Sequence, residues 1–120
     1  MTEKPQNNWF AMEATKDVAA SADVYIYDEI GGYEVNAQSF MDELDALGEI
    51  ETINLRINSP GGSIVEGNVI YNTLKRHSAK VVTHIDGIAA SMASVIAMAG
   101  DEIHMASNAF LMIHNPWTVS

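Results

Sequence analysis

The stretch ETINLRINSPGGSIVEGNVIYNTLKRHS, residues 51–78, holds one complete folding unit. Ile53, Leu55 and Ile57 alternate with polar residues, the two-residue period of a strand. That pattern stops at Ser59-Pro60-Gly61-Gly62, the strongest turn signal in the chain. Beyond it, Val65/Val69 and Ile70/Leu74 are i,i+4 pairs of a helix. Lys75, Arg76 and His77 fall in its last turn, where cations suit the negative end of the helix.

The same grammar extends both ways. Upstream, ADVYIYDEI (22–30) reads as a strand, with Val24, Ile26 and Ile30 at even spacing. NAQSFMDELDALGE (36–49) reads as a helix, with Asn36 as N-cap, Phe40, Leu44 and Leu47 on one face, and Gly48 at its C-terminal end. Downstream, AKVVTHID (79–86) is a third strand and IAASMASVIAMAG (88–100) a helix apolar nearly all round. DEIHMA and AFLMIH are two further short strands with Ser107-Asn108 between them. The order β-α-β-α-β-α-β-β predicts an α/β fold with right-handed crossovers and a mainly parallel sheet, covered on both faces. Residues 1–22 read as a polar lead-in and residues 23–120 as the domain.

A net charge of −10, with no local Lys/Arg cluster, argues against nucleic-acid binding. With no cysteine there is no disulfide, thiolate metal site or cysteine nucleophile. No two histidines show i,i+4 spacing, so no metal centre is expected. No apolar run approaches the ~20 residues of a membrane span. A polar start argues against a signal peptide, so a soluble cytoplasmic protein is expected.

In such folds the working groups collect at the carboxyl ends of the strands. Ser59-Pro-Gly-Gly62, the loop expected over DGIAAS (86–91) and His114 all fall there. Ser91, expected in the first turn of its helix, could be a nucleophile. Gly61 and Gly62 could offer N–H groups to an oxyanion, and His114 could serve as general base. Each residue also has a plain reading: a small packing serine, a turn, a structural histidine. From spacing alone both readings stand.

INSPGGSIVEGNVIYNTL followed by GIAASMASVIAMAGDEIHMASNAFLMIHNP resembles the Clp protease proteolytic subunit family of serine peptidases, nearest the head-maturation (prohead) proteases of phages. Ser-Pro-Gly-Gly, Ala-Ala-Ser-Met and Met-Ile-His-Asn-Pro occur in order. The resemblance implies a fold related to the crotonases, with Ser91 as nucleophile and His114 as general base. It also implies an oxyanion hole from the main chain of Gly62, Gly61 and Met92. Ring-forming homo-oligomers, extended polypeptide substrates (capsid and scaffold proteins for the phage type), an ATP-driven unfoldase partner and no cofactor are implied as well. The family's aspartate follows well downstream of the histidine, whereas this chain ends six residues after His114, so a fragment of a longer protein is expected. Asp86 and Asp101 read as solvated loop or turn residues.

The remaining candidates read as structural: His77, His84, His104 at a polar edge, the carboxylates of residues 41–51, and Tyr25, Tyr27 and Tyr33 partly buried in the sheet. Rival functions are a crotonase-like acyl-CoA enzyme, a non-catalytic ring or capsid component, and a Ser-Lys enzyme. The acidic chain offers the first no phosphate-binding cluster, and Lys80, at the start of a strand, sits at the wrong end for the last.

Overall fold

The computed structural model describes residues 9–15, 20–31 and 36–113. In chain order these form β1 (Phe10–Ala14), β2 (Ser21–Tyr27), α1 (Ala37–Ala46), β3 (Thr52–Ser59), α2 (Ile64–Arg76), β4 (Lys80–Ala90), α3 (Met92–Ala97), β5 (Glu102–Met105) and β6 (Phe110–Met112). Tyr33 and His114 lie outside the described residues.

β2, β3, β4 and β5 pair side by side in parallel. β1 joins antiparallel to the outside of β2, with Phe10 opposite Ile26. The expected lead-in therefore contains a strand. Its residues Trp9 and Phe10 are buried with Phe40 of α1, Trp9 stacked on Phe40 at 6.2 Å and Phe10 edge-on to it at 5.2 Å. Two large rings in a short polar segment were signal enough to place it in the core.

The expected α/β architecture and mainly parallel sheet are present, but the expectation of two covered faces is corrected. Every crossover from β2 to β5 steps the same way along the sheet, and right-handed connections that always step one way put all their helices on one side. Accordingly α1 packs on α2 and α2 on α3. Ala22, Val24, Ile26, Ile53, Leu55, Ile57, Val81, Thr83 and Ile85 point under those helices and are buried. Their neighbours Tyr25, Arg56 and His84 align across the strands on the other face, half-exposed.

The helix ends follow from local chemistry. Asn36 Oδ1 accepts the Ser39 N–H at 3.1 Å, and Gly48 takes a φ of +82° just beyond α1. Ser63 caps α2 through the Glu66 N–H at 3.1 Å, and the Glu66 carboxylate accepts the Ala37 N–H at 2.7 Å, tying the starts of α1 and α2 together.

β4 is longer than the sequence suggests, running through 86–90 where a loop was expected. Ile57 pairs with Ile85, but Ser59 pairs with Ala89, so β4 carries two more residues than β3 over that interval. Asn58 fills the gap: its Oδ1 accepts the Ile88 N–H at 3.1 Å. A Cβ at position 87 would lie 2.4 Å from that oxygen, so a side chain there would displace the Asn58 amide. Beyond this bulge β4 changes partner. Its first half pairs with β5 and its last residues with β6, so β5 and β6 follow one another along the same edge.

Candidate active site

Ser91 sits between β4 and α3 as the N-cap of a six-residue helix, just outside the helix in whose first turn it was expected. Its φ is +55°, a left-handed conformation that side chains rarely adopt and that costs on the order of 1–3 kcal/mol. Such a turn between a strand and a helix lifts a side chain clear of the backbone on both sides. The Ser91 hydroxyl makes no hydrogen bond among the described residues.

Hydrogen bonds on both sides hold the turn. The Ser91 N–H donates to the Met112 carbonyl of β6 at 3.0 Å. The Ser91 carbonyl accepts the Ser94 N–H at 2.9 Å, the Val95 N–H at 3.4 Å and the Ser94 hydroxyl at 2.5 Å. Ser94 is buried, and its hydroxyl is bonded.

The glycine loop meets this turn directly. A Cβ added to Gly61 would lie 2.8 Å from the Ser91 Cβ and 2.9 Å from the Ala90 carbonyl, so only glycine fits. Gly61 (φ +112°) and Gly62 (φ +149°) are stitched to the end of β2: the Ile30 N–H donates to the Gly61 carbonyl at 2.8 Å and the Ser63 N–H to the Ile30 carbonyl at 3.0 Å. The Gly61 N–H turns inward to the Ser59 hydroxyl at 3.1 Å, and that hydroxyl donates to the Asp28 carbonyl at 2.6 Å. Among the described residues the N–H groups of Gly62 and Met92 have no acceptor.

Two of the three sequence signals are thus brought together, the serine turn and the double glycine. Met92 extends the contact, its side chain lying against Gly67 of α2. His114 is outside the described residues, but Met112, two positions before it, is bonded to Ser91. The helix expected over 88–100 is cut to the six residues of α3. Stabilisation of a nearby anion therefore falls to individual N–H groups.

Asp86 corrects another expectation. Rather than a solvated loop residue, it lies in β4 on the open face, where Arg56 grips it from β3 and the Tyr27 hydroxyl donates to it at 2.7 Å. Burial and then the bond to Asp86 push the Tyr27 phenol up to about 12, and the same carboxylate raises Arg56. Next to them His84 stacks on His104, ring centres 5.3 Å apart. Burial, then Arg56 and His104, lowers the His84 imidazole. Asp101 is likewise engaged, accepting the Val81 N–H at 2.9 Å. The His77 ring accepts the Ala79 N–H at 3.0 Å, closing the end of α2. Lys80 pairs with Glu102 at the start of β4. A concavity of about 320 Å³ lined by Leu74, His77, Lys80 and Asp101 also lies at that end, away from Ser91.

Among the described residues no group of three His, Cys, Asp or Glu side chains is placed to hold a metal ion. Nor is any helix among them long and apolar enough to cross a membrane.

Comparison with known proteins agrees with this geometry. The Clp protease family profile matches residues 6–120. The chain is 45% identical over 75 residues to the ATP-dependent Clp protease proteolytic subunit of Ligilactobacillus salivarius, covering 61% of this chain and 38% of that one. It is 32% identical over 117 residues to the corresponding Porphyromonas gingivalis subunit, covering 95% of this chain and 53% of that one. It superimposes on the crystal structure of the ClpP protease catalytic domain from Plasmodium falciparum with a TM-score of 0.69 and 34% identity, over 80% of this chain and 54% of that chain. The chain thus spans about half the length, or less, of the relatives it matches.

Proposed function

Because this chain belongs to the Clp protease family, we propose that the full-length protein is a serine endopeptidase that cleaves polypeptides through an acyl-enzyme. The observation that carries the reading is the contact between Gly61 and Ser91, which sets a hydroxyl on a strained turn beside main-chain donors with no acceptor among the described residues. In this reaction the Ser91 Oγ attacks the scissile carbonyl carbon and gives its proton to His114. Negative charge then builds on the carbonyl oxygen. The N–H groups of Gly62 and Met92 are the proposed oxyanion donors. Gly61, whose own N–H is spent on Ser59, serves by letting the substrate approach. Collapse of the tetrahedral intermediate expels the amine, which takes the proton from His114, and water then releases the acyl group.

Three finer assignments join the proposal on family resemblance: assembly into rings that enclose the sites, delivery of substrate by an ATP-driven unfoldase, and, for a head-maturation type, capsid or scaffold proteins as substrates. The carboxylate that orients His114 is assigned to none of the described residues, since Asp86 and Asp101 are engaged elsewhere.

A fluorophosphonate probe on the full-length protein tests the reading. Labelling is expected with the natural sequence and is abolished by Ser91→Ala. Labelling that survives Ser91→Ala overturns the assignment, and a folded protein that never labels supports a non-catalytic assembly component instead.

A further inference from the structure

We infer that two buried hydroxyls, those of Ser94 and Ser59, are positioning residues that clamp the two halves of the proposed site. The inference rests on the serine peptidase reading above. It adds two residues that touch neither substrate nor the reacting atoms.

Ser94 has a relative exposure of 2% and Ser59 of 0%, so neither is solvated. A buried hydroxyl is costly unless bonded, and each of these spends its bonds on the main chain of the site. The Ser94 Oγ–H donates to the carbonyl of Ser91 itself at 2.5 Å. That carbonyl belongs to the peptide joining Ser91 to Met92, the same peptide plane that carries the Met92 N–H. Anchoring its oxygen fixes the opposite direction of its N–H, and with it the ψ of Ser91 (−126°) in the strained turn. Added to the Ser94 and Val95 N–H groups on the same oxygen, this hydroxyl makes the shortest of three bonds that aim both the nucleophile and one oxyanion donor.

Ser59 does the matching job on the glycine side. Its hydroxyl accepts the Gly61 N–H and donates to the Asp28 carbonyl, 3.1 and 2.6 Å away. Glycines with φ of +112° and +149° have many alternatives open to them. Pulling the Gly61 N–H inward removes it from competition and leaves the Gly62 N–H as the loop donor with no acceptor among the described residues. A small hydrophobic residue would fill either position equally well if only packing were needed.

Substitution of each serine in the full-length protein separates aiming from packing. For Ser94→Ala and Ser59→Ala we expect kcat on a short peptide ester to fall by about tenfold to a hundredfold, the loss typical of a misplaced reacting group, with KM little changed. Fluorophosphonate labelling should slow in proportion. Thr, Val, Cys and Ala at each position give a series in which donor strength and volume rank differently, because Val keeps the bulk of Thr without its hydroxyl. Activity that follows donor strength, with Thr restoring most of it and Cys less, supports clamping. Activity that follows side-chain volume, or folded Ala variants with the natural kcat, overturns it. Should an Ala variant fail to fold, the Cys variant decides alone, because it keeps the volume and weakens the donor. Ser91→Ala run beside them distinguishes the two levels: activity near the natural level there overturns the peptidase reading, whereas its loss together with fully active Ser94 and Ser59 variants overturns only the clamp.

Discussion

Arg56 and Asp86 meet across β3 and β4 in a two-pronged ion pair, Nε to Oδ2 at 3.0 Å and Nη2 to Oδ1 at 2.8 Å. The Tyr27 hydroxyl completes the carboxylate's coordination from β2. Asp86→Asn should cost about 1 kcal/mol of stability, a modest figure because both side chains remain partly exposed and water screens them. In the natural sequence the Tyr27 phenol ionises near 12 rather than 10. The folded state thus holds its proton more tightly than the unfolded one. Stability is full below pH 10 and falls as pH rises toward 12. Phenolate absorbance during alkaline titration checks this, and in Asp86→Asn the late-titrating tyrosine should move back toward 10.

Acid should weaken the same face through His84. Its folded value lies below the ordinary 6.5, so the unfolded chain binds the proton more readily. The contribution is complete above 6.5 and is lost as pH falls through the lowered folded value. Arg56 and His104 oppose the imidazolium, while Asp86 and Asp23 favour it only weakly. Melting temperatures measured across this range should drop toward acid, with a shallower drop in His84→Gln.

Phe40 packs against both other rings of the Trp9–Phe10–Phe40 cluster and is fully buried. Phe40→Ala should destabilise the fold by about 3–5 kcal/mol and release β1 from α1. Denaturant unfolding, with Trp9 fluorescence as one probe, measures both effects.

Gly61→Ala should disable the site without unfolding the domain. The added methyl meets the Ser91 Cβ at 2.8 Å in a backbone with φ of +112°, so the loop must withdraw. Labelling by the fluorophosphonate should fall on the order of a hundredfold, while circular dichroism stays native.

How far the residues announced this arrangement differs from place to place. Asn36 and Gly48 announced the two ends of α1 because a cap is a local event, settled by three or four neighbouring residues. The one-sided sheet left only a partial mark: a strand buried on both faces has no reason to alternate, and TINLRIN alternates, but KVVTHID opens with two valines in a row. The α/β order suggested two layers of helices, but the direction of each crossover, on which the layering depends, leaves no local mark. Asp86 was opaque for a related reason. Its partners lie 30 and 59 residues away in sequence, and only strand register brings them together. Ser59 and Ser94 were equally hidden, since nothing local says which carbonyl or N–H a buried hydroxyl will find.

The bulge at Asn58 has a consequence in counting. Were β4 to continue opposite β3 in its early register, with Ile85 facing Ile57, position 91 would arrive level with Ser63. The two additional residues delay it, so that Ser91 arrives level with Gly61, where a side chain would collide. The number of residues between Ile85 and Ser91 is thus a phase, advancing in steps of about 3.3 Å. Deleting one residue from Asp86–Ile88 turns the serine to the opposite face of the sheet. Deleting two restores its facing but sets it one strand repeat out of step with the glycines. In this protein the length of that short run matters as much as its composition.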